Sequence, residues 1–149
     1  MLRRYWMELL LGVTIGAAVG LGGYTFIYAR GASYLSDAPE TCANCHVMQR
    51  YYDGWEKGRH HKVATCNDCH TPAGLVPKYS TKGLNGFLHS YAFTTGRFAD
   101  PIRIRPRNTR VTNGACLKCH NGMVEMMIMP AGATGVSCTR CHASVGHLH

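Results

Sequence analysis

No cysteine is left over in this 149-residue chain, and carboxylates are scarce. All eight cysteines fall in pairs with two residues between them, each pair followed by histidine, so none remains for a further structural disulfide. Sixteen Lys and Arg against eight Asp and Glu give a formal net charge of +8. Such an excess suits an anionic partner in general. The densest basic stretch, with Arg97, Arg103, Arg105, Arg107 and Arg110, has no interleaved aromatic beyond Phe98, which argues against nucleic acid. Apolar and polar residues alternate poorly, and Gly, Pro and Asn punctuate the segments, so no strand is signalled. Charge is absent altogether from Leu9 to Tyr28.

What is present dominates the reading. Cys42-Cys45-His46, Cys66-Cys69-His70, Cys116-Cys119-His120 and Cys138-Cys141-His142 are four Cys-x-x-Cys-His units. Two thiols at that spacing add to the two vinyl groups of one porphyrin, and the adjacent histidine reaches the iron. Zinc ribbons use paired Cys-x-x-Cys units but do not require a histidine after every second cysteine. Four covalently bound haems c are therefore expected. With about 30 residues per haem beyond the N-terminal segment, the chain is too short for a conventional core around each, and the porphyrins must form much of it. Their propionates would offset part of the basic excess. The four units form two close pairs separated by a long connector, which suggests two dihaem halves. The expected fold is mainly α with much irregular loop, short helices wrapping the haems. The best helical candidates are residues 51–61 and 81–96, both interrupted by glycines.

Arg3 and Arg4 precede the uncharged stretch, and Arg30 follows it. Twenty residues at about 1.5 Å each give about 30 Å of helix, enough to cross a bilayer. An uncleaved anchor over residues 1–30 and a haem domain over 31–149 are expected. Arg3 and Arg4, before the span, place the N-terminus in the cytoplasm and the haem domain in the periplasm, where cysteines meet oxidising conditions. Gly12, Gly16 and Gly20 line one face of the span and offer a surface for homo-association.

Four six-coordinate irons need eight axial ligands. The motif histidines offer four. His60, His61, His89, His147, His149 and Met48 are the candidates for the rest.

The N-terminal anchor, the unit Cys42 to Met48, His61 upstream of Cys66, the segment with Lys78 and Lys82, and the terminal run from Cys138 to His147 together resemble the NapC/NirT/NrfH family of membrane-anchored tetrahaem quinol dehydrogenases. The short length and Met48 make the chain most similar to the branch that accompanies cytochrome c nitrite reductase. That resemblance implies Met48 rather than His46 on the first iron, His61 opposite His120, and His147 opposite His70. It implies that His142 holds the fourth haem, with a partner's lysine or His149 completing it. A thioether ligand independently raises a haem's potential over bis-histidine ligation. His46 as the ligand, with Met48 merely packed, is the other arrangement the residues allow.

The resemblance also implies a quinol site containing Lys82. Where the family has a carboxylate this chain has His89, which can serve as an iron ligand or as a proton acceptor. The expected activity is oxidation of menaquinol with electron delivery to a periplasmic multihaem reductase, cytochrome c nitrite reductase. The competing classes are a general membrane-anchored relay to several partners and a terminal haem reductase. Against the last stands the lack of a Cys-x-x-Cys-Lys unit or a fifth haem site.

Overall fold

The computed structural model describes residues 2–128 and 137–147. It divides into two units, Met1–Ser33 and Tyr34–His149. The first is carried by α1 (Leu2–Tyr28), whose apolar side chains are exposed along its length. Over Arg3–Tyr28 it is long and apolar enough to cross a membrane, with a mean hydropathy of 1.7 in its 18-residue window. A Cβ built on Gly12, Gly16 or Gly20 meets nothing within 4 Å, so the small-residue stripe is an open surface.

The second unit contains α2 (Gln49–Glu56), α3 (Cys66–His70), α4 (Leu75–Thr95), α5 (Pro106–Ile128) and α6 (Cys138–Cys141), with 3-10 turns ahead of α2 and between α2 and α3. No strand occurs among the described residues. Local chemistry sets several ends. Asp68 accepts the Thr65 backbone N–H at 2.7 Å and closes a capping box at the start of α3. Pro106 opens α5 with its φ already helical. Gly96, at φ 65°, ends α4 in the left-handed conformation that suits glycine.

Helices α4 and α5 are longer than the glycine-rich sequence suggests. Long-range side-chain bonds supply what propensity does not. Arg107 donates to Thr81 Oγ1 at 3.2 Å, and Asn108 donates to Asn85 Oδ1 at 3.2 Å, fastening α5 to α4. Asn113 Oδ1 accepts the Thr139 N–H at 3.2 Å, fastening α5 to α6. Lys118 Nζ donates to the Asp68 and Thr71 carbonyls, both at 2.9 Å, where α3 ends against α5. The helix carrying the third motif is thus the hub for the other elements.

Lys118 supplies two charge-assisted bonds to carbonyls at a helix C-terminus, which also favours a cation. Its surface exposure reduces their net value to about 1 kcal/mol. Lys118→Met should lower the thermal midpoint by about 3 °C in a melting experiment on the mature protein. An unchanged midpoint would remove the tether from the list of stabilising contacts.

The second unit has almost no apolar core of its own. Among the described residues, the buried hydrophobics are Ala92 and Ala115, and the buried polar residues are Thr71, Thr81 and Lys82. Leu75, Val76, Phe87, Tyr91 and Met123 are exposed. Chains of this size ordinarily bury more than half of the surface they expose when unfolded.

Candidate functional site

Three of the four attachment motifs share one geometry. In α3, Cys66, Cys69 and His70 stand at i, i+3 and i+4, positions that fall on one side of a helix. Cys116, Cys119 and His120 repeat this within α5. Cys138 and Cys141 repeat it within α6, with His142 at its C-terminal boundary.

The first motif departs. Cys42 lies in the 3-10 turn Pro39–Asn44, and Cys45 is extended at φ −88° and ψ 116°. A new 3-10 turn starts at His46 and ends on Met48, whose N–H donates to the Cys45 carbonyl at 2.8 Å. His46 is therefore not carried on one helical turn with its own cysteines as the other motif histidines are. It is exposed, lining a cavity of about 450 Å³ with Gln49, Tyr51, Asp53 and Asp100, whereas Met48 is half-buried.

The histidines sort themselves by distance and by hydrogen bond. An imidazole nitrogen sits about 2 Å from a transition-metal ion, so two imidazoles on opposite faces of one ion have ring centroids about 6 Å apart. His70 and His147 lie with centroids 6.0 Å apart. Nδ1 of His147 donates to the Tyr51 carbonyl at 2.8 Å, which fixes the tautomer and leaves Nε2 as the free lone pair. The atoms crowded around the His70 ring, with the neighbouring His147 adding to them, push it down to about 4 although the residue keeps surface exposure, so His70 is neutral and able to ligate at neutral pH.

The second such pair is His60 and His120, with centroids 6.3 Å apart. Nδ1 of His60 is enclosed and has no hydrogen-bond partner. His61 is exposed, its Nδ1 donating to the Gly58 carbonyl at 2.8 Å and its ring edge-on to Trp55. The structure thus sets His60, not His61, ring to ring with His120. His142 is exposed beside α6, and His149 lies outside the described residues.

Lys82 is buried, its side chain 8 % exposed. Its ammonium donates to the Ser36 carbonyl at 2.6 Å and to Asp37 Oδ1 at 2.9 Å. Lys78 donates to Oδ2 of the same carboxylate. The two lysines, Lys78 first, hold the Asp37 carboxyl below the usual range. The Cys42 thiol is drawn down, chiefly by its hydrogen bond with Cys66 and in part by the charge of the Lys82 ammonium. His89 lies seven residues on from Lys82 in α4, its Nδ1 3.5 Å from the Tyr34 hydroxyl. Partial burial and the charge of Arg105 lower its pKa. Gly86 makes room for Tyr34, since a Cβ there would stand 3.3 Å from the ring.

The sequence reading did not single out Asp37 or Tyr34, and it held His60 among the candidate ligands while the resemblance implied His61. Asp37 and Tyr34 reach α4 across more than forty residues of chain, beyond any local pattern.

These residues fit covalent haem. The cysteine pairs have the required spacing, two imidazole pairs stand at bis-axial separation, and exposed apolar side chains surround a nearly coreless framework. Fold and site together define a multihaem cytochrome c. Residues 3–149 match the family described as NapC/NirT cytochrome c family, N-terminal region, and the chain belongs to that family. It is 34 % identical over 146 residues to cytochrome c-type protein NrfH of Wolinella succinogenes, covering 91 % of this chain and 82 % of the relative. It is 32 % identical over 143 residues to cytochrome c nitrite reductase subunit NrfH of Nitratidesulfovibrio vulgaris, covering 95 % and 84 %. A crystal structure of the cytochrome c nitrite reductase NrfHA complex bound to the inhibitor HQNO contains a similar chain, with a TM-score of 0.66 and 30 % identity over 94 % of this chain and 90 % of that one.

Proposed function

We propose that this protein oxidises menaquinol and delivers the electrons to a periplasmic cytochrome c nitrite reductase, as a single-pass membrane protein with its haem domain in the periplasm. Bound haem c, one per attachment motif, supplies a series of one-electron carriers. Quinol oxidation releases two electrons and two protons, so the protein must meet two hydroxyl groups and accept what they lose. Lys82 and His89, on one side of α4, are the residues for those two oxygens. The Tyr34 hydroxyl orients the His89 ring, and the buried Lys82 ammonium directs a fixed positive charge at an oxygen that becomes more anionic as its proton leaves.

The observation that carries this reading is the buried Lys82 ammonium, held by the Ser36 carbonyl and Asp37 directly ahead of the one motif that leaves helical geometry. Relatives named as nitrite reductase subunits supply the partner. Electron uptake from a reduced menaquinone analogue, measured on the full-length mature protein, tests it. Reduction by dithionite but not by the quinol would overturn it.

For the irons, the residues that would ligate are Met48 on the first, His70 with His147 on the second, His120 with His60 on the third, and His142 on the fourth. A lysine of the partner reductase or His149 would complete the last. Met48→Ala should alter the spectrum of one haem in four and leave the others unchanged. Four unchanged bis-histidine signals would return the first iron to His46. The Gly12, Gly16 and Gly20 stripe is the surface for self-association in the bilayer, and Gly16→Leu should abolish cross-linked dimers if it serves that purpose.

A further inference from the structure

Asp37 bridges the two lysines of α4. Its Oδ2 accepts from Lys78, and its Oδ1 accepts from Lys82 at 2.9 Å and from Asn67 of the second attachment motif at 2.9 Å. The preceding residue adds its carbonyl to Lys82, and the Tyr79 hydroxyl reaches the Leu35 carbonyl at 3.5 Å. Residues 35–37 therefore form a strap across α4. The Tyr79 ring lies under both ammonium groups, 5.5 Å from Lys82 and 5.8 Å from Lys78.

The exposures separate the members of this cluster. Lys82 is 8 % exposed, Lys78 23 % and Asp37 50 %. A buried ammonium on a flexible four-carbon stem needs an anion to hold it and to offset its lost hydration. Lys78 retains more water and depends on that anion less. The carboxylate, half in solvent, is anchored by three donors and holds its place without burial.

We propose that Asp37 is the positioning residue of the quinol site, fixing the Lys82 ammonium at the point where it meets the substrate oxygen. The proposal rests on the reading that Lys82 faces the quinol. Asp37 acts through Lys82 and does not touch the substrate. Its bond to Asn67 also locks that point relative to the second motif, so the substrate contact and the attachment frame are held by one carboxylate.

The test is steady-state oxidation of a reduced menaquinone analogue by the full-length protein carrying its haems. Misplacing a substrate contact by about 1 Å costs on the order of 100-fold. Asp37→Asn should lower kcat/KM on that order, chiefly through kcat because the contact strengthens as the substrate oxygen loses its proton, with dithionite still reducing every haem. Asp37→Glu, which retains the anion on a longer arm, should recover most of the loss, and Lys78→Met should change kcat/KM less than about threefold because Lys82 keeps its own acceptors. An unchanged kcat/KM in Asp37→Asn, with Lys82→Leu inactive, would overturn the role of Asp37 and leave the site intact. Normal oxidation by Lys82→Leu would overturn the site itself. A lower kcat/KM that glutamate does not restore would assign Asp37 to structure alone. If Asp37→Asn fails to mature, Asp37→Glu decides alone, since its displaced anion should still lower kcat/KM by about threefold or more, and an unchanged value would overturn the proposal.

Discussion

Lys82→Leu is expected to stop electron entry from quinol while dithionite continues to reduce all four haems. The substitution keeps the bulk that fills a buried position and removes the charge. It also leaves Asp37 with Lys78 and Asn67 as partners, so the carboxylate is not orphaned. A preorganised donor to an oxygen that gains negative charge is worth about 10²- to 10³-fold in rate, and the loss should be at least that large. Dithionite is the control because a small reductant needs no quinol site. If both reductants fail, the variant has lost its haems. If both succeed, the site lies elsewhere, Lys78 being the next candidate.

His89→Ala measured in the same assay separates its two chemical roles. A change in one haem's spin state assigns it to an iron. A lower turnover and an altered pH profile with unchanged spectra assign it to the quinol's proton.

What was legible in the sequence was what covalent chemistry and membrane thickness dictate. Cys-x-x-Cys-His spacing is imposed by two vinyl groups and one iron, and it announced all four attachment sites without reference to fold. The span from Leu9 to Tyr28 was visible because a bilayer tolerates no run of charge there. Helices α4 and α5 were not visible at their full length. Gly83, Gly86, Gly114 and Gly122 argue against long helices locally, and the bonds that offset them, from Arg107, Asn108, Asn113 and Lys118, span at least 23 residues of chain.

The cluster around Lys82 was half legible. Lys82 and His89 share a helix and a spacing, but Asp37 reaches Lys82 from 45 residues away, and nothing near it in sequence marks it. The different geometry of the first motif was hidden as well, because it depends on one extended residue, Cys45, within a motif whose letters match the others.

The choice between His60 and His61 shows the same limit at its narrowest, and it gives the second large expected effect. Adjacent residues differ by one position in any spacing rule, so sequence separates them poorly. The 3-10 turn Arg59–Lys62 rotates them by about a third of a turn, roughly 120°, and gives them opposite surroundings. His60 faces His120 with an enclosed nitrogen lacking a partner, while His61 lies in solvent with its Nδ1 already bonded to Gly58. Losing an axial imidazole from a six-coordinate low-spin iron leaves a five-coordinate or water-bound, high-spin one. His60→Ala should therefore convert one haem of four to high spin, and His147→Ala should convert a different one. His61→Ala should convert none, costing only a surface hydrogen bond and its contact with Trp55. Electron paramagnetic resonance on the three oxidised variants reads the result directly, whether or not any of them still turns over quinol. A high-spin signal in His61→Ala with His60→Ala unchanged would restore the assignment implied by the family resemblance, and it would mean that the turn carrying both residues rotates when haem is attached.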